Sequence, residues 1–360
     1  MITLNRTMLF DGSYMLHRSL TQEELWNMKN HKGERTGGVF GCLKTIQKEL
    51  RTYNYYPIVV FDGGLSKRRL SIYPNYKRAE EKALLLECKE EDKTEEQLIE
   101  EEFRREYHTQ RNILINLLPN FGIPVIYSQE WEGDDLLYIL SKLSKDSIVV
   151  SDDKDLIQLL YNTDERRCRI RRPLRDEFLD NKYLQDKEIN IQEFIGCKCI
   201  VGDPSDNIPS ACFQVGDKTA LGLYKIYENT LPNSFPKNEE ELSKICKELN
   251  ISKRKAYLNF NEQQFLINLS LTDLSLVDKE INDELLKNIT DSIFHQQTLI
   301  NKQNIRDILS YLEIKTFETD ILLGKIDTLK MLLNIDNFEA CKDIKETTIQ
   351  KQGLFKNTSV

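Results

Sequence analysis

Nine carboxylates in this 360-residue chain fall where they could act as a group. Asp11 closes the apolar run TMLFD (7–11) and Asp62 closes PIVVFD (57–62). Glu132, Asp134 and Asp135 follow the next apolar run in EGDD (132–135), and Asp153 and Asp155 follow another in SDDKDL (151–156). Asp203 and Asp206 stand in a later turn, GDPSDN (202–207). Taken singly, an Asp just ahead of a helix is most often an N-cap, and that explains Asp134, Asp135 or Asp152 one at a time. It does not explain Asp11 and Asp62, which end apolar runs and are each followed by Gly. Carboxylates crowded together must protonate or bind cations. Hard divalent cations prefer oxygen, and Mg²⁺ takes a few carboxylates with water and substrate phosphate. Two such ions about 4 Å apart support in-line displacement at phosphorus.

Other chemistries are poorly served. There is no GxxxxGK[ST] phosphate loop and no visible Ser–His–Asp or Cys–His arrangement. The four histidines (His17, His31, His108, His295) are far apart, and among eight scattered cysteines only Cys197 and Cys199 are close in sequence. Buried, reduced cysteines in a cytoplasm are the expectation. The net charge is −8, from 58 acidic and 50 basic residues, which argues against a basic nucleic-acid coat and against adhesion to membranes. Without the nine carboxylates the chain would carry +1, so its acidity is largely that of the candidate site. No apolar run reaches 18 residues.

The elements that must position these acids are legible in the first half. TMLFD, PIVVFD, IPVIY (123–127) and SIVVS (147–151) read as strands, too short and too β-branched for helices. Helix-period segments at 39–50, 107–118 and 134–143 alternate with them, which predicts an α/β fold with a parallel central sheet and helices on both faces. In such a sheet the strand ends share one edge, where ligands bind. An insertion from 66 to 106 opens with the basic, aromatic KRRLSIYPNYKR (67–78). Its second part, 80–106, holds 12 acidic and 5 basic residues and predicts a solvated helix. Beyond residue 186 strand signals fade: 190–203 and 217–227 read as helices, LPNSFPKN (231–238) as a linker, and the rest as helical.

As an ordered set these motifs resemble the 5′ nucleases: flap endonucleases, the 5′–3′ exonuclease domain of bacterial DNA polymerase I, and phage 5′ exonucleases and ribonucleases H. LFDGSYMLHRS (9–19) resembles the first family motif, with Arg18 seven residues past the Asp. KGERTGGVFG (32–41), VVFDGG (59–64), EGDD, SDDKDL and GDPSDNIP (202–209) follow in family order, and VGDKTALGL (215–223) resembles the helix–three-turn–helix signature. The stand-alone phage enzymes are the most similar in layout, which implies the cytoplasm of a bacterial host cell if the chain is phage-encoded. The resemblance implies a PIN-like nuclease core over 1–186 with a helical arch at 66–110, a helix–three-turn–helix DNA-binding domain over 187–290, and a helical region of unassigned role over 291–360.

By that resemblance Asp11, Asp62, Glu132, Asp134, Asp135, Asp153, Asp155, Asp203 and Asp206 surround two Mg²⁺ ions, replaceable by Mn²⁺. Tyr76 would stack on a base while Lys77 meets the scissile phosphate, with Arg18 a further catalytic residue; Arg78 would touch DNA. Val215, Gly216, Lys218 and Thr219 would bind duplex phosphates, with a K⁺ at the motif. The family's Gly-hydrophobic-Gly is Gln214-Val215-Gly216 here, which predicts a hairpin that survives but binds more weakly. The expected substrates are DNA and RNA–DNA duplexes with 5′ ends or flaps, as in primer removal during replication. The expected protein is a monomer working with a single-strand-binding protein or sliding clamp, although the spacing of QKQGLF (350–355) does not fit a clamp peptide. Two alternatives stand beside this reading: a non-catalytic binder of branched DNA, and a PIN-type single-strand ribonuclease.

Overall fold

The computed structural model describes residues 4–80, 82–83, 93–163, 165–230 and 235–333. They form two compact units. The first gathers the described residues of Met1–Gly64, Cys88–Asp180 and Val277–Val360, and the second those of Leu65–Glu87 and Asn181–Leu276.

The first unit is built on a sheet of β1 (Leu4–Asp11), β2 (Tyr56–Asp62), β3 (Val125–Ser128), β4 (Ser144–Val150), β5 (Tyr161–Asn162), β6 (Arg167–Arg172) and β7 (Glu177–Leu179). Its order is β3-β2-β1-β4-β6-β5, with β7 beside β6. The pairs β1–β2, β1–β4, β2–β3 and β4–β6 are parallel, while β5 and β7 run antiparallel to β6. Consecutive residues Met8, Leu9 and Phe10 are each 0% exposed. Successive strand residues face opposite sides, so both faces of β1 are covered, as a parallel sheet requires.

Its helices are α1 (Gly12–Leu20) and α2 (Gly37–Thr52) after β1, then, past a segment that belongs to the second unit, α4 (Glu95–Leu117) and α5 (Gly133–Leu143). The helix expected at 107–118 and the charged segment before it are one helix from 95 onward, started by a Thr94–Gln97 capping box. Four strands stand where the sequence predicts them. β6, RCRIRR, is an addition: Cys168 and Ile170 point into the core while its arginines are drawn into ion pairs.

The second unit holds α3 (Lys67–Ile72), a single turn at Tyr76–Arg78, α6 (Ile191–Val201), α7 (Asp217–Thr230), α8 (Glu239–Glu248) and α9 (Glu262–Thr272). Its core joins Ile195, Cys199, Leu223, Ile226, Leu242, Tyr257 and Phe265. α10 (Asp283–Gln296), α11 (Lys302–Tyr311) and α12 (Thr319–Leu329) complete the first unit.

This partition differs from the linear breaks expected at 186 and 290. α10 packs on β3, and α12 packs on α2 and β2, so the C-terminal helices supply apolar faces that the sheet lacks. The expected arch is divided between the units: α3 and the 76–78 turn lie in the second, and α4 lies in the first. The middle of the arch (84–92), the start of the expected linker (231–234) and QKQGLF lie outside the described residues.

Candidate active site

Parallel pairing sets the carboxyl ends of β1, β2, β3 and β4 along one edge of the first unit. Strands β2 and β3 follow β1 on one side and β4 and β6 lie on the other, so the order reverses between β1 and β4. Such a switch point opens a crevice at the strand ends. Asp11 stands at that point.

Asp11 is 8% exposed and caps α1. Its Oδ1 accepts the Tyr14 N–H at 2.9 Å and its Oδ2 accepts the Ser151 hydroxyl, just past β4, at 2.9 Å. Gly12 follows because a Cβ there would meet the Phe61 ring and the Val60 carbonyl at 2.8 Å. Asp62, at the end of β2, accepts the Gly133 N–H on Oδ1 at 2.6 Å, which fixes the start of α5. Its own N–H donates to Ser13 Oγ at 2.9 Å. After β4, Asp153 is exposed and its Oδ1 accepts the Asp155 N–H at 2.8 Å.

These groups form an electrostatic unit. Burial pushes the Asp11 carboxyl up to about 7, and the charges of Asp62 and Asp153 add to the rise against the hydrogen bonds of Tyr14 and Ser151. Glu132 and Asp135 are buried at the head of α5, where the Glu132 N–H donates to Asp135 Oδ2 at 3.1 Å; Asp134 is half-exposed beside them. Among the described residues, no three acidic, His or Cys side chains close around a single point. Asp11 and Asp62 are turned instead onto N–H and O–H donors. The donor set still fits a hard divalent cation: all oxygen, negative, and holding a proton on Asp11 that a cation can displace.

Three residues at this edge escape the sequence reading. Tyr107 and Arg111 reach it from α4. Burial raises the Tyr107 phenol, with a hydrogen bond to Ser13 and the charges of Asp62, Arg111 and Asp11 also acting on it. Arg111 donates to the Asp62 carbonyl at 2.5 Å, with its guanidinium 5.4 Å from the Tyr127 ring. The periodicity of α4 announced an apolar face, and nothing in it marked Tyr107 or Arg111. Asp152, read as a cap, accepts the Tyr14 hydroxyl at 2.5 Å and the Leu174 N–H at 3.1 Å. Arg18 lies one turn beyond Tyr14, half-buried, with its Nε buried and lacking a hydrogen-bond partner among the described residues.

The remaining expected residues belong to the second unit. Asp203 Oδ1 accepts the Ser205 N–H at 2.9 Å and Oδ2 lies 3.5 Å from Lys198 Nζ. Burial works to raise its carboxyl, but Ser205 and Lys198 hold it below the usual value. Asp206 accepts the Tyr76 hydroxyl at 3.1 Å and, on its carbonyl, the Lys77 N–H at 2.9 Å. The Tyr76 ring, expected to stack on a base, is 2% exposed and packed with Ile208 and Leu271. Lys77 and Arg78 follow with left-handed backbone, φ 52° and 54°.

Gly216 and Lys218 are exposed, Val215 and Thr219 are half-buried, and the Thr219 N–H donates to the Gly216 carbonyl at 2.9 Å. The left-handed position of this loop falls on Gln214, at φ 59°, where the resemblance leads one to expect a glycine. A Cβ on Gly216 would meet nothing within 4 Å, so nothing inside the protein requires a glycine there.

Comparison with known proteins agrees with this architecture. The profile of the 5′-3′ exonuclease N-terminal resolvase-like domain matches residues 6–188. A 5′-3′ exonuclease of Aquifex aeolicus is 27% identical over 310 residues, covering 80% of this chain and 96% of the relative. DNA polymerase I of Streptococcus pneumoniae is 29% identical over 255 residues, which are 66% of this chain and 26% of the polymerase. A solved structure of the bacteriophage T5 flap endonuclease, in a complex with DNA and metal ions, covers 82% of this chain and 99% of its own, at 21% identity and a TM-score of 0.55. That likeness is one of fold. With the profile spanning half the sequence, the chain belongs to the 5′-3′ exonuclease family.

Proposed function

We infer that this nuclease hydrolyses phosphodiester bonds near 5′ ends and flaps, selecting substrates by structure, with two Mg²⁺ ions that Mn²⁺ can replace. One observation carries the reading: Asp11, Asp62 and Asp153 converge on one sheet edge, with Asp11 driven up to about 7 by burial and by the other two charges. A buried carboxyl under that stress, as Asp11 is, is poised to exchange its proton for a cation.

Asp11, Asp62, Glu132, Asp134, Asp135, Asp153 and Asp155 are the first unit's candidates to hold the ions, directly or through water, and Asp203 and Asp206 have that role by resemblance. When bound, divalent cations lower the pKa of a bound water and neutralise charge on the phosphate. The chain's own part is to orient. Ser151 and the Tyr14 N–H fix both oxygens of Asp11, and the Gly133 N–H fixes Asp62. Lys77 and Arg18 supply positive charge to the phosphate and to the developing dianion. The α6–α7 pair is read as the helix–three-turn–helix motif, with Val215, Gly216, Lys218 and Thr219 on duplex phosphates, a K⁺ at its loop, and Arg78 as a further DNA contact. RNA–DNA hybrids, a single-strand-binding protein or clamp as partner, a monomeric state and a cytoplasmic setting belong to the same proposal.

The deciding experiment is cleavage of a 5′-labelled flap in Mg²⁺ and in EDTA, beside an RNA–DNA hybrid. Cuts near the junction that vanish in EDTA are expected. Tight binding without any cut in Mg²⁺ or Mn²⁺ would replace the nuclease reading with that of a branched-DNA binder.

A further inference from the structure

The switch point between β1 and β4 is bridged twice. One bridge is the Ser151 hydroxyl on Asp11 at 2.9 Å. The other joins the residue after Ser151 to the third residue after Asp11. Tyr14, in the first turn of α1, places its hydroxyl on Asp152 Oδ2 at 2.5 Å. Asp152 is held from behind: the Leu174 N–H donates to the same oxygen at 3.1 Å, and Arg172 Nε, at the end of β6, faces Oδ1 at 3.5 Å. Arg172 is fixed in turn by Glu177 Oε1 at 3.0 Å from its Nη1. The side chains of Asp152 and Arg172 are 9% and 7% exposed, so this ion pair is little screened by water.

This is more than a helix start needs. Asp11 already caps α1, and the N–H of Tyr14 is already satisfied by it. The phenol therefore adds nothing to the cap. What it joins are the two segments that carry Asp11 and Asp153, and nothing else in the first turn of α1 reaches Asp152. Arg18 projects one turn beyond Tyr14, and its charge acts on the phenol. Fixing Tyr14 thus also fixes the helix face that presents Arg18.

We propose that Tyr14, Asp152 and Arg172 form a positioning strap that sets the spacing of Asp11 and Asp153, and hence the affinity of the site for divalent cations. The strap rests on the metal reading given above and assigns none of its own members to the metal. Hydrogen-bonded groups behind ligating side chains typically contribute about 10- to 100-fold in metal affinity or rate. The phenol is the cleanest member to remove, because Phe keeps the ring and its packing.

The test is Mn²⁺ binding to the full chain by titration calorimetry, with melting temperature and single-turnover flap cleavage measured in parallel. Tyr14→Phe is expected to weaken Mn²⁺ binding and slow cleavage, each by about tenfold, while flap affinity in Ca²⁺ stays within about twofold and the metal-free melting temperature hardly moves. Asp152→Asn, which keeps an acceptor for Tyr14 and Leu174 but loses the charge facing Arg172, should fall between Tyr14→Phe and wild type. In the double variant the two losses should not add. Wild-type Mn²⁺ affinity in Tyr14→Phe overturns the strap, as does a loss that only tracks a fall in melting temperature. Failure of the wild-type chain itself to bind Mn²⁺ or cut the flap is a different result and overturns the metal reading instead.

Discussion

The strand-end edge of the first unit and the Tyr76–Arg78 junction with the 203–207 turn in the second unit hold their functional groups by opposite means. At the strand ends the stress is electrostatic. Asp11 is buried against two neighbouring negative charges, yet none of the carboxylate residues there has a left-handed backbone. At the junction the carboxyl groups are comfortable, Asp203 below its usual value and Asp206 accepting the Tyr76 hydroxyl, while Lys77, Arg78 and Asn207 stand at φ 52°, 54° and 57°. Charge stress is relieved by a cation and backbone strain by a conformational change. On the proposed function a metal would relieve the first region, while the second holds its side chains in an unusual direction.

The largest effect is expected at the charged edge. Asp155→Asn should lower flap cleavage on the order of 10³-fold while duplex binding stays within a few-fold, because it removes a negative oxygen needed only for the reaction. Single-turnover rates beside gel-shift affinities check this; an unaltered rate would remove Asp155 from the site. Next comes Lys77→Ala, with a loss of about 10² in rate and little in affinity if the ammonium acts on the developing phosphate charge. A loss confined to affinity would make Lys77 a DNA contact and nothing more.

A pH series tests the stress itself. Asp11 is raised from 3.8 to about 7, so between those values the unfolded chain releases a proton that the folded chain keeps. Metal-free stability should fall as pH rises across that window and level off above about 7, and Asp11→Asn should flatten the profile. Cations compete with the same proton, so Mn²⁺ affinity should drop by up to about tenfold per pH unit below about 7. Mn²⁺ affinity that is the same at pH 6 and pH 8 would contradict the electrostatic account.

The carboxyl edge was legible because it is local. The apolar runs Met-Leu-Phe and Ile-Val-Val-Phe, each ending in Asp, mark β1 and β2 and their acids without help from any distant residue. β6 was not legible, because four arginines disguise it. Their partners Asp146, Glu49 and Asp152 are distant in sequence, and only with those pairs made does Arg-Cys-Arg-Ile-Arg-Arg become a core strand. The burial of the Tyr76 ring was hidden for the same reason, because Ile208 and Leu271, which enclose it, are distant in sequence. Tyr107, Arg111 and the Tyr14–Asp152 contact likewise depend on which helix face the fold turns toward the strand ends, which spacing within α1 or α4 does not decide. The resemblance supplied the order of the acids and the family, whereas the side chains that orient those acids came only from the packing.

The smallest prediction separates strain from charge at the junction. Lys77→Ala and Lys77→Gly remove the same ammonium, but only glycine takes φ 52° without a Cβ facing the carbonyl. If the left-handed turn is strained and persists in both variants, Lys77→Gly should be more stable than Lys77→Ala by about 1 kcal/mol in chemical unfolding. That gain is offset in part by the greater freedom of glycine in the unfolded chain, so the difference is a lower bound on the strain. Cleavage should order the two variants the other way: glycine loosens the turn that aims the neighbouring Arg78, so Lys77→Gly should be no faster than Lys77→Ala despite its greater stability. Equal stability of the two would mean that the turn relaxes once the lysine is gone. The left-handed backbone would then be a consequence of where the ammonium is held, and the contrast with the carboxyl edge would reduce to one of charge alone.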